Sequence, residues 1–174
     1  MAELEATWTK LLDQASLAAI ESGRIDVADY LRLKLANDTI RRTGVDWLFQ
    51  TLIDQAMEAE RNYRHLKIDR VDPHSFKVGT SNLVGSKIEI RFGVRCLSLE
   101  AGWARTPTDG VMRNGALAVA LVSHFGMSSE GAQYKLMRGT AFPVWVDESG
   151  SEILAEEIHR HLQLLLDIPR GFVP

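Results

Sequence analysis

The chain has 174 residues, 45% of them hydrophobic, with 20 Lys plus Arg against 23 Asp plus Glu and one cysteine. That length is enough to bury a substantial core, and the net charge of -3 supplies no global attraction to nucleic acid or anionic lipid. One cysteine excludes an intrachain disulfide framework and any site built from two of the chain's own thiolates. No apolar run approaches the roughly 20 residues that span a bilayer. The opening MAELEATWTK has neither the basic region nor the apolar core of a signal peptide, so a cytoplasmic protein is expected.

Leu4, Trp8, Leu11, Leu12, Ala15 and Ala19 recur at spacings of three and four, which predicts a first helix ended by Ser22-Gly23. Asp26 can accept a hydrogen bond from a first-turn amide and so starts a second helix, with Val27, Tyr30, Leu31 and Leu35 inward and Arg41 and Arg42 near its negative end. Thr43 and Asp46 resemble a capping pair for a third helix. Val45, Leu48, Phe49, Leu52, Ile53, Ala56 and Met57 give it a wide apolar stripe running to about Tyr63.

The period then changes to two. Ile68 and Val71, the turn signal Asp72-Pro73, and Phe76 and Val78 read as a hairpin broken by Gly79-Thr80-Ser81. Gly85-Ser86 introduces a long strand in which Ile88, Ile90, Phe92, Val94 and Cys96 share one face and Lys87, Glu89, Arg91 and Arg95 the other. The apolar set then shifts to Leu97, Leu99, Ala101 and Trp103, which predicts a bulge or sharp bend near Cys96. After a loop at residues 106–114, the run Gly115 to Phe125 is apolar on both sides and reads as an interior strand whose Ala118–Ala120 side invites close helix packing. Ser128 or Ser129 can cap a short helix through Arg138. Pro143 makes Phe142–Val146 an edge strand, and a last helix with Ile153, Leu154, Ile158, Leu162 and Leu165 inward ends before Pro169.

The expected fold is α+β: an N-terminal three-helix segment packed with a mainly antiparallel twisted sheet of about five or six strands, plus a short crossover helix and a C-terminal helix. With no Pro, Gly or Ser linker near residue 65, residues 1–64 and 65–174 are expected to form one domain.

The strongest chemical signal is cationic. Arg91 and Arg95 flank Gly93, and Arg105, Arg113 and Asn114 lie in or beside the following loop. Guanidinium forks suit carboxylate or phosphate, although the same residues also suit the solvated side of a half-buried strand. Glu100 and Asp109 are the only groups placed to act as proton-transfer residues in an enzyme reading. Cys96 continues an apolar set and reads as a packing residue. Trp8, Trp47 and Trp145 fit buried stripes. His159 and His161, two apart on a helix, point in different directions, and His124 has no local partner, so no metal site is expected. Neither a nucleophile elbow nor a phosphate-cradling Gly-rich motif occurs, and no cofactor is expected. The sequence supports a noncatalytic binding or accessory module that recognises a protein or anionic ligand through Arg91, Arg95, Arg105, Arg113 and Asn114. Self-association is an expected partner mode, since the N-terminal helices carry apolar stripes that one small sheet does not fully cover. A small enzyme on a phosphate- or carboxylate-bearing substrate and a nucleic-acid-binding protein are the alternatives.

Overall fold

Alternating side chains from Lys67 onward build one antiparallel sheet in which every strand pairs with its neighbour in sequence. The computed structural model describes residues 2–61, 65–110, 112–140 and 142–166, with the side chains of residues 2–6, Trp8, Pro107 and Arg113 outside the described set. The proposed helix end at Tyr63 and the stop before Pro169 therefore lie outside the described residues, as do the side chains of Leu4 and Trp8. The strands are β1 (Lys67–Val78), β2 (Ser81–Phe92), β3 (Arg95–Trp103), β4 (Ala118–His124), β5 (Ala132–Met137) and β6 (Val144–Val146). The helices are α1 (Ala2–Glu21), α2 (Ile25–Glu60) and α3 (Ala155–Leu166). The α+β class holds, and among the described residues no helix is long and apolar enough to cross a membrane.

The chain divides into two compact units, Met1–Thr43 and Gly44–Pro174. The division falls inside a helix, whereas the change of pattern in the sequence lies near residue 65. The first unit is a helical hairpin. Gly23 takes φ +74 after Ser22, and its backbone N–H and that of Arg24 bond back to Ile20 and Ala19, so α1 ends on a left-handed residue. Among its described residues Leu12, Ser16, Ala19 and Ala28 are buried, with Ser16 Oγ donating to the Ala28 carbonyl at 3.4 Å.

Two N-terminal helices form where the sequence suggested three. Thr43 and Asp46 do not interrupt α2, because at 3.6 residues per turn Val27, Leu31 and Leu35 lie on the same side as Val45, Phe49, Leu52 and Ala56. The two stripes are in phase, so no break is needed to bury both. Gly44 sits where a Cβ would come within 2.6 Å of the buried Leu136 side chain, and the Trp145 indole N–H donates to the Gly44 carbonyl at 2.9 Å.

In the second unit the Gly44–Glu60 part of α2 and all of α3 cover one face of the sheet, called here the inner face. Leu48, Phe49, Leu52, Ile158, Leu162 and Leu165 meet Ile88, Ile90, Leu97, Leu99, Ala118, Ala120 and Leu136 there, all 2% exposed or less. Gln55 Nε2 donates to the Ala155 carbonyl at 2.9 Å, joining the two helices. The alanine side of β4 thus receives the helices, and β6 lies at the sheet edge with Pro143 just before it.

Three strand expectations need correction. Asp72-Pro73 is not a hairpin turn: β1 runs straight through it, with one register irregularity between Val71 and His74 where proline cannot donate to the ladder. Gly85-Ser86 lies inside β2 and does not begin it. The phase change near Cys96 is a hairpin and not a bulge. Gly93 takes φ +60, the chain reverses at Gly93-Val94, and Phe92 pairs with Arg95. A two-residue turn places an even-numbered residue opposite an odd-numbered one, which shifts the apolar parity without any bend in a strand. The crossover helix is also absent. Ser128–Glu130 is a single 3-10 turn, and Ala132, Tyr134 and Leu136 alternate with Gln133 and Lys135 along β5.

Candidate functional site

The hairpin decides where the arginines go. Lys87, Glu89, Arg91, Cys96, Ser98 and Glu100 share the outer face of β2 and β3, whereas Arg95, opposite Phe92, belongs to the inner face. Cys96, expected among the packing residues, is therefore on the polar side and half-buried, with Sγ 3.8 Å from Ser98 Oγ. Glu89 bridges Lys87 at 2.6 Å and Arg91 at 2.5 Å. Those hydrogen bonds, Lys87 first, hold the Glu89 carboxyl below its usual range and raise both cations. Arg95 Nη1 lies 3.4 Å from the Leu164 and Leu165 carbonyls, where the C-terminal end of α3 concentrates negative charge.

The other expected site residues lie elsewhere. The Arg105 guanidinium stacks 4.0 Å over the Trp103 ring. Asn114 is exposed in a left-handed conformation, φ 57, and the Arg113 side chain lies outside the described residues. Glu100 is held by His74, Nε2 to Oε1 2.5 Å. Asp109 accepts from the Thr106 backbone N–H at 2.9 Å and hydroxyl at 2.8 Å, which lowers its pKa and commits it to shaping its own turn.

Arg91 and Arg95 do meet at one place. Both line a hollow of about 600 Å³ at the β2–β3 turn, shared with Ser98, Ser123, His124 and Phe125. Val94 and Phe125 stand at its border, 89% and 74% exposed, and the Phe125 N–H bonds the Cys96 carbonyl at 2.8 Å, tying the end of β4 to the hairpin. A smaller cavity of about 200 Å³ lies between the sheet and the loop, lined by Leu83, Met112, Asn114, Val119, Gln133 and Lys135 among others. Its floor belongs to an apolar cluster of Phe76, Leu83 and Val119, against which Ala104 and Met112 pack.

A chain of titratable groups under α3 escaped the sequence reading. His124 Nε2 is 3.0 Å from His161 Nδ1, His161 Nε2 is 2.7 Å from the Tyr134 hydroxyl, and that hydroxyl donates to Glu157 at 3.3 Å. Arg160 closes the end by donating to Glu157 at 2.8 Å. One polarity satisfies these contacts with both imidazoles neutral: His124 donates to His161, His161 to Tyr134, and Tyr134 to the carboxylate. Only His124 Nδ1 lacks a partner. Burial pushes the His161 pKa down to about 4, lowers that of His124, and raises that of Tyr134. The chain fixes α3 in register on β4 and β5. Replacing Tyr134 by Phe leaves the His161 N–H without an acceptor, and a loss of about 1–2 kcal/mol is expected in urea unfolding.

Trp145 is buried as expected, but Trp47 is 41% exposed. Among the described residues no group of three or more His, Cys, Asp and Glu side chains could hold a metal ion. Comparison of the chain with protein-family models, with curated protein sequences and with solved structures gives no match.

Proposed function

We propose that this protein is a noncatalytic binding module that takes a carboxylate-bearing segment of a protein partner at the hollow beside the β2–β3 turn. The observation that carries this reading is the hollow of about 600 Å³ lined by both Arg91 and Arg95 and bordered by two highly exposed apolar side chains, Val94 and Phe125. Arginine and aromatic residues are the side chains on which interface energy concentrates. Arg91 supplies the exposed guanidinium: its side chain is 55% exposed, and its contact with Glu89 engages Nη2 and leaves other donors of the fork toward solvent. The bordering apolar residues account for a peptide better than for a bare anion, which would make no use of them. Relative to the sequence expectation, the contact narrows to Arg91 and Arg95, and Arg105 and Asn114 take no part.

The test is amide NMR with peptides that alternate Glu and Leu, against the same peptides with Gln for Glu. The acidic peptides should shift the Ser98, Ser123 and Phe125 resonances, with binding weakened at least tenfold by Arg91→Ala or Phe125→Ala and by added salt. Equal binding of the Gln peptides, or shifts indifferent to both substitutions, would remove the reading.

A further inference from the structure

The outer face of the sheet is polar along Lys87, Glu89, Arg91, Ser98 and Glu100, but it turns apolar toward the start of β2 and β4. Register places Phe76 opposite Leu83, and Val119 beside Gly102 and Lys135, on that same face. Phe76, Leu83 and Val119 are all buried, and Ala104 and Met112 of the connection between β3 and β4 pack against them. This cover is pinned at both ends. Gly110 brings the connection so near β2 that an added Cβ would lie 2.9 Å from the Ser81 Cα, and the Leu117 N–H donates to the Leu136 carbonyl at 2.7 Å. The cover nevertheless leaves about 200 Å³ unfilled beside Leu83, Val119 and Met112. Protein interiors leave few voids larger than a water molecule, so a preformed space of this size on an apolar floor is suited to a ligand.

The polar side chains around the space indicate which ligand. Gln133 and Lys135 stand two apart on the outer side of β5, and both line the cavity. Among the described residues neither side chain has a hydrogen-bond or ion-pair partner, and the described lining holds no acidic residue. One ammonium and one amide with no competing carboxylate favour a singly charged anion. A doubly charged phosphate would leave half its charge uncompensated beside Leu83 and Val119, which is costly. The apolar floor calls for a hydrocarbon body, and Met112 can adapt to its shape. The volume lies below the roughly 300–1,000 Å³ of sites for drug-sized ligands, so that body is short.

We infer that the cavity beneath the β3–β4 connection binds a small monocarboxylic acid, its hydrocarbon body against Leu83, Val119 and Met112 and its carboxylate at Lys135 and Gln133. Val119 and Phe125 lie toward opposite ends of β4, so this site is separate from the hollow lined by Arg91 and stands whether or not a peptide binds there.

NMR titration of the full chain with octanoate, a probe of about ten non-hydrogen atoms, tests this. Saturable binding with a dissociation constant below about 1 mM is expected, with nuclear Overhauser contacts from the octanoate chain to the Met112 and Val119 methyl groups. Lys135→Gln should weaken octanoate at least tenfold, whereas octanol, which carries no charge, should bind the parent and the variant alike. Arg91→Ala should leave octanoate binding unchanged. The methyl contacts are read on the parent chain, so they decide the matter even where Lys135→Gln lowers stability. Octylamine binding as tightly as octanoate overturns the inference, as does the lack of saturation up to about 5 mM. Shifts confined to Ser98, Ser123 and Phe125 also overturn it, because they would assign the acid to the hollow lined by Arg91.

Discussion

Acidification from about pH 8 to about pH 5 is expected to remove about 2 kcal/mol of stability from the sheet-bearing unit through His161 alone. Burial depresses the folded-state pKa of this imidazole to about 4 from its ordinary value of 6.5. Between those two values the unfolded chain binds a proton that the folded chain refuses, so stability is complete above the unfolded pKa and falls as pH drops toward the folded one. His124 is lowered by burial as well and contributes in the same direction. The groups that face the pair are Tyr134 from β5 and Glu157 and Arg160 from α3, with Glu130 from the turn before β5. Arg160 opposes protonation of both imidazoles. Urea midpoints measured across this range should slope steeply in the parent protein. In His161→Phe the slope should shrink to the part due to His124, whatever the change in absolute stability. Identical slopes would mean that His161 does not lie in the core as a neutral group.

Gly85→Ala should be the most damaging single-methyl change in the sheet, costing about 3 kcal/mol or more. A Cβ at Gly85 would lie 1.9 Å from the Ala101 carbonyl oxygen and 2.6 Å from the Gly102 Cα, both backbone atoms that cannot rotate away. Gly85 pairs with His74 on one side and Gly102 on the other. His74, the partner of Gly85 on β1, itself hydrogen-bonds Glu100 on β3. Gly93→Ala provides the contrast. Its added Cβ meets nothing within 4 Å, and only the φ of +60 resists it, a cost of about 1 kcal/mol. Guanidinium unfolding midpoints should rank the two far apart, and equal losses would remove the close approach of β2 and β3 as the cause.

Local chemistry made several elements readable. Ser22-Gly23 ended α1 where expected, the 3.6-residue stripe of Ile158, Leu162 and Leu165 marked α3, and Pro143 pointed to an edge. Errors arose where one residue type serves two purposes. Thr43 and Asp46 look like a cap, yet the stripes before and after them are in phase, and that phase was the signal for one long helix. In the sequence Gly93 stands between two arginines, whereas its positive φ makes it the turn, and that turn alone moves Arg95 and Cys96 to the faces opposite those the alternation predicts. The alternation Ala132-Gln133-Tyr134-Lys135-Leu136 was visible but yielded to the serines before it. The His124–His161–Tyr134 chain left no local trace, because its members lie 37 and 27 residues apart and are joined only by the packing of α3 on the sheet.

The strand order β1-β2-β3-β4-β5-β6 gives every ladder a partner adjacent in the chain, so the meander can assemble by successive short loop closures at little entropic cost. The contacts that seal its helical cover are of the opposite kind: Gly44 with Trp145 and Gln55 with Ala155 join positions 101 and 100 residues apart. The topology thus separates two kinds of contact, local pairing between successive strands and distant contacts that set both flanking helices over the same alanine-lined surface.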